Sequence, residues 1–223
     1  MVDARRSLIA LVIGAALVLA ACNPDPTGGA RPPSSAPPFT SGVWSVARED
    51  LPHSWREGCP VSWQDLSTVN VAYWGYDGKR HTGNVVVHDS VTANVVDAFR
   101  YMYDVRFQIR RVHPVDVYDG SDARSMAANN TSAFNCRKVA GSTAWSEHAY
   151  GKAIDINPVQ NPYVKGGTVD PPAGKDWTDR SDQVPGMIAN RDHVWHAWFY
   201  EGWEWGGDWT NSKDYQHFSL SGR

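Results

Sequence analysis

Ser146-Glu147-His148-Ala149-Tyr150-Gly151-Lys152-Ala153-Ile154-Asp155-Ile156-Asn157 is the stretch on which the reading of this chain turns. Its second half alternates small or charged residues with Ile154 and Ile156, so as a strand it puts Ala153 and Asp155 on one face and the isoleucines on the other. His148 precedes Asp155 by an odd number of residues, and an unbroken strand would aim the two side chains apart. Gly151 lies between them, where the backbone is free to turn and bring them together. A second stretch near the C-terminus answers the first: Trp205-Gly206-Gly207-Asp208-Trp209, followed by Asp214-Tyr215-Gln216-His217-Phe218. Two histidines and an aspartate are a ligand set for a catalytic zinc that keeps one position for water. Asp214 is then a spare carboxylate beside that water.

These residues carry a family resemblance. SEHAYGKAID resembles the S-x-H-x-x-G-x-A-x-D signature of the zinc D-alanyl-D-alanine carboxypeptidases and their L-alanyl-D-glutamate endopeptidase relatives, peptidoglycan peptidases whose fold is shared with the hedgehog signalling domain. WGGDW and the following D-x-x-H-F resemble the second half of the same site. The resemblance runs over roughly residues 59–218 and is strong from Ser125 onward. It implies zinc held by His148, Asp155 and His217, with Asp214 as general base at a position where many relatives carry glutamate. It also implies an arginine that steadies charge on the scissile carbonyl oxygen. Two arginines qualify: Arg124, in a shifted version of the carboxypeptidases' G-Y-R-S element, and Arg137, in Asn129-Asn130-Thr131-Ser132-Ala133-Phe134-Asn135-Cys136-Arg137. The second context is the preferred one. The implied substrates are peptidoglycan stem peptides, with the D-Ala-D-Ala bond ahead of L-Ala-D-Glu. A zinc-containing module that only docks on the cell wall is the non-enzymatic alternative, and the presence of Asp214 argues against it.

Outward from the site, residues 66–74 and 82–88 read as strands rich in Val and aromatics, with Asp77-Gly78 as their turn. Ser90 reads as the N-cap of a helix over 91–103, with Val95, Phe99 and Met102 at helical spacing. A strand is expected over 107–117, a polar loop over 118–142 and a Pro/Gly-rich stretch over 157–174. Helices around 184–189 and over 192–200 and a last strand over 215–220 complete an α+β domain: a small antiparallel sheet flanked by helices, in the hedgehog/DD-peptidase manner. His193 and His196 form H-x-x-H without the glutamate of H-E-x-x-H, so they read as helix-surface or packing residues. Asp208 is expected either to orient a histidine or to cap a turn.

The 223 residues, 42% hydrophobic and 20% charged, are enough for a single substantial core. The net charge of −3 supplies no broad basic field and argues against nucleic acid as a partner. Arg5 and Arg6 precede an apolar run over 8–21, the pattern of an export signal that is short for a spanning helix. Its end, Leu19-Ala20-Ala21-Cys22, resembles a bacterial lipobox, which implies a lipid on Cys22 and a protein anchored to the outer face of the cell membrane, towards the wall. The expected organisation is a lipoprotein signal over 1–22, a Pro/Gly/Ser tether over 23–42 and a peptidase domain over 43–223, with a monomer as the expected state. With Cys22 lipidated, Cys59 and Cys136 remain in an oxidising compartment and favour a disulfide over a metal or nucleophilic role.

Overall fold

The computed structural model describes residues 36–223. The expected signal and lipobox, and the tether up to residue 35, lie outside the described residues. Strand β1 (Ser41–Ser45) pairs antiparallel with β2 (Leu66–Trp74), which pairs antiparallel with β3 (Arg80–His88). Val69 faces Val85 and Val71 faces Gly83 across the long pair. Alternation then divides β3: Val85 and Val87 enter the main core, while Val86 joins a smaller one with Leu51, Leu66, Phe134 and Cys136. Both faces of this sheet are therefore covered, which explains its nearly unbroken apolar run. Each buried valine contributes about 1.5–3 kcal/mol.

Helix α1 (Thr92–Asp104) lays Val95, Phe99 and Met102 into the main core, at the spacing read from the sequence. Ser90 is not its cap. A 3-10 turn over Asp89–Val91 runs into the helix, and the His88 imidazole Nδ1 accepts from the Ser90 N–H instead. The expected strand over 107–117 is absent. Residues 107–112 pass beside the first sheet through isolated contacts: Ile109 N–H donates to Trp74, Asn84 N–H to the Val112 carbonyl, and no ladder forms. Gly83 permits the approach, since a Cβ there would meet the Val112 carbonyl oxygen. The polar region 118–142 contains a short helix, α2 (Asp122–Ala127), capped by Ser121 and too brief to show a period.

The residues after Gly151 build two further three-stranded sheets rather than extending the first. Strand β4 (Ala153–Asp155) pairs with β9 (His217–Ser219), which pairs with β7 (Glu204–Trp205). Strand β5 (Tyr163–Lys165) turns through Gly166-Gly167, both at positive φ, into β6 (Thr168–Asp170), and pairs on its other side with β8 (Lys213–Asp214). Helix α3 (His193–Phe199) buries Val194, Ala197 and Trp198. The helix expected around 184–189 is a turn. Pro185 and Gly186 (φ +80°) break it, and the side-chain amides of Asn157 and Asn161 bond the Gly186 carbonyl while Asn161 Oδ1 accepts from Ile188 N–H. The architecture is α+β.

Candidate metal centre and its cleft

Three local features bring the candidate ligand residues together. Ser146 caps a 3-10 turn over Glu147–Tyr150 that carries His148, and Gly151 ends it in the left-handed region (φ +64°). A Cβ at Gly151 would lie 2.6 Å from the His88 main-chain nitrogen, so the turn packs flush on the first sheet. The antiparallel register then sets Asp155 directly opposite His217, with both side chains on one face. His148, Asp155 and His217 are all buried, and one ligand atom from each lies within 4.8 Å of the others. Among the described residues no other such group occurs.

The hydrogen-bond network assigns the ring tautomers. His148 Nδ1–H donates to the Ala133 carbonyl at 2.6 Å, and His217 Nε2–H donates to the main-chain oxygen of Arg223 at 2.9 Å. That leaves His148 Nε2 and His217 Nδ1, 3.2 Å apart, both turned to Asp155, whose oxygens lie 3.2 and 3.1 Å from them. Ligand atoms of a tetrahedral zinc, with bonds of about 2.1 Å, are separated by roughly 3.4 Å. The two imidazole nitrogens therefore sit near zinc-ligand spacing, each with a different Asp155 oxygen at a similar distance, and each imidazole is oriented by a main-chain acceptor on its far side. Burial raises the Asp155 carboxyl, but the charge and hydrogen bonds of the two histidines outweigh it and hold it well below the usual carboxylate range. Burial lowers His217, and Asp155 with Asp214 overcomes this and lifts it to about 9.

The ligands open into a cleft of about 430 Å³. Asp214 lies in its wall, on β8 opposite Tyr163, which in turn faces Asp170 across β5 and β6. These three side chains form a row along the cleft. The Asp214 Oδ1 is buried without a partner among the described residues, and desolvation pushes its carboxyl up to about 7 despite the opposing charge of His217. Gly206 makes the close fit possible, since a Cβ there would lie 2.8 Å from that of Asp214. Arg137 also lines the cleft, bonded to Asp122 at 2.9 Å, with its Nε buried and unpartnered among the described residues. Arg124 lies outside the lining, paired with Asp119 and bonded to the Tyr118 carbonyl in an exposed position. Five carboxylates against two arginines leave the lining acidic, which favours a divalent cation at its base.

Other expected roles resolve differently. Asp208 accepts from Asn190 Nδ2 and Trp195 Nε1 and touches neither ligand histidine. His193 and His196 lie on α3, away from the cleft lining. Cys59 and Cys136 are bridged, with Cα atoms 5.8 Å apart. The acceptors at Ala133 and Arg223 are main-chain atoms, which no residue type announces.

No curated protein and no solved structure matches the chain. Residues 140–220, which contain all three candidate ligands and Asp214, match the family described as D-alanyl-D-alanine carboxypeptidase. Over this stretch the chain is similar to the D-alanyl-D-alanine carboxypeptidase family of peptidases.

Proposed function

We propose that the protein is a zinc-dependent peptidase that removes the terminal D-alanine from peptidoglycan stem peptides. The observation that carries this reading is the buried triad of His148 Nε2, His217 Nδ1 and Asp155, whose two imidazoles are each tied on the far side to a main-chain oxygen. These three residues would hold zinc, which would supply a water of pKa ~7 and polarise the scissile carbonyl. Asp214, with its raised carboxyl in the same cleft, takes the proton from the attacking water and returns it to the departing amine. Arg137 turns toward the cleft and steadies negative charge on the carbonyl oxygen, while Asp122 fixes its guanidinium. Trp145, Val139 and Ala144 give part of the wall an apolar surface suited to alanine methyl groups.

The hedgehog/DD-peptidase fold belongs to this proposal, and the three small antiparallel sheets with flanking helices are compatible with it. So does a location on the outer face of the membrane. Its support is the basic start, apolar run and Leu19-Ala20-Ala21-Cys22 of the sequence, with the Pro/Gly/Ser tether beyond them. The test is digestion of defined muropeptides by zinc-loaded protein, with products read by mass spectrometry. Release of the terminal D-alanine supports the assignment. Cleavage between L-alanine and D-glutamate would move the protein to the endopeptidase activity, and binding without cleavage would make it a docking module.

A further inference from the structure

Segment 132–137 belongs to none of the three sheets, yet its main chain touches two of the three ligands. Ser132 exchanges both main-chain hydrogen bonds with Asp155, at 3.1 and 2.9 Å. The Ala133 carbonyl holds the His148 imidazole, and Asn135 N–H donates to the His148 carbonyl at 3.2 Å. The Arg137 carbonyl accepts from Ser146 N–H at 3.1 Å, and Ser146 caps the turn that carries His148. The same segment ends in Arg137, the arginine of the cleft.

Its opposite edge is fastened to a different part of the chain. Phe134 N–H donates to the Val86 carbonyl and Cys136 N–H to the Ser54 carbonyl, each at 2.9 Å. Arg56 Nη1 donates to the Cys136 carbonyl at 2.6 Å, and Cys136 is bonded to Cys59. The loop that receives these contacts is itself held, since Ser54 N–H donates to Asp116 and Trp55 Nε1 to the Val61 carbonyl. Arg137 and the bond that orients His148 thus lie within three residues of the bridged cysteine.

We propose that the Cys59–Cys136 bridge, together with Arg56, is a positioning element of the metal centre. By fixing the far end of segment 132–137, it sets where the Ala133 carbonyl holds the His148 ring and where Arg137 enters the cleft. Neither cysteine lines the cleft, so the effect passes through main-chain bonds to His148 and Asp155. This inference rests on the reading of the triad as a metal site.

The test replaces both cysteines at once, Cys59→Ser with Cys136→Ser, so that no lone thiol competes for metal. Zinc affinity is measured by competition with a chromophoric chelator, and ligand geometry by the visible spectrum of the Co²⁺-loaded protein. Loss of the fixed partner shell is expected to weaken zinc binding by about 10- to 100-fold and to shift the cobalt bands. Turnover falls more than KM changes. Val95→Ala, in the main core on α1, serves as a control that lowers thermal stability while leaving zinc affinity unchanged. If the double variant does not fold, Arg56→Ala keeps the bridge and is expected to weaken zinc roughly three- to tenfold, the scale of one lost hydrogen bond. Wild-type zinc affinity and cobalt bands in the folded double variant, or in Arg56→Ala where that is the variant available, overturn the proposal. A wild-type protein that binds no zinc overturns the metal reading itself, which is a separate outcome.

Discussion

Asp214→Asn separates the chemistry of the site from its architecture. Asparagine has the shape of aspartate, so it fits the space that Gly206 leaves against the side chain. The three ligands are untouched, and zinc should remain near one per chain. What is lost is a group able to take a proton. Such a loss lowers kcat/KM by ~10²–10⁴, or about 3–5 kcal/mol of barrier. Stability should move the other way. The folded carboxyl titrates at about 7 against an ordinary 3.8, so ionised Asp214 destabilises the fold. That cost is absent below the ordinary value, grows as pH rises between the two values, and at neutral pH is on the order of 4 kcal/mol. In chelator-treated protein at pH 7.5 the variant should therefore melt at or above the wild-type temperature. A bound cation lowers the Asp214 carboxyl, so the acid limb of wild-type kcat/KM should fall at or below pH ~7 and be missing from the variant's residual activity. The assay pairs metal analysis and melting with hydrolysis of a D-Ala-D-Ala peptide. Turnover within tenfold of wild type, with zinc retained, would refute the role of Asp214.

Three further outcomes follow from the same geometry. His217→Ala should lose metal and activity together, since it removes one of three protein ligands, and metal analysis after gel filtration checks this. Arg137→Ala should keep zinc and lose about 10²–10³ in turnover, whereas Arg124→Ala, exposed and outside the cleft lining, should stay near wild type in the same steady-state assay. Gly151→Ala places a Cβ against the His88 main chain in a left-handed residue, and denaturant titration should show a loss of more than about 1 kcal/mol with weaker zinc binding.

The candidate ligands were legible because His148, Asp155 and His217 stand in two motifs that together resemble the peptidase signature, and because Gly151 marks the turn between His148 and Asp155; the fold gathers the three into a possible metal site. The long strands were legible from their Val- and aromatic-rich runs, and α1 from its helical spacing. The rest was hidden for physical reasons. The acceptors that orient the imidazoles are the Ala133 carbonyl and the Arg223 main chain, and every residue owns such atoms. The row of Asp170, Tyr163 and Asp214 depends on strands of two or three residues, too short to carry a period. Around 184–189 the amides of Asn157 and Asn161 satisfy a backbone that Pro185 and Gly186 keep out of a helix. Choosing between Arg124 and Arg137 required tertiary contacts, since either local context permits a cleft arginine.

Zinc-dependent release of D-alanine is tested most directly by mass spectrometry of a defined pentapeptide muropeptide incubated with the purified protein, first stripped by chelator and then reloaded with one equivalent of zinc. Stripped protein should leave the substrate intact, and restored zinc should bring loss of the terminal D-alanine. Protein that carries one zinc per chain and leaves every peptide bond of the muropeptide intact would contradict zinc-dependent release.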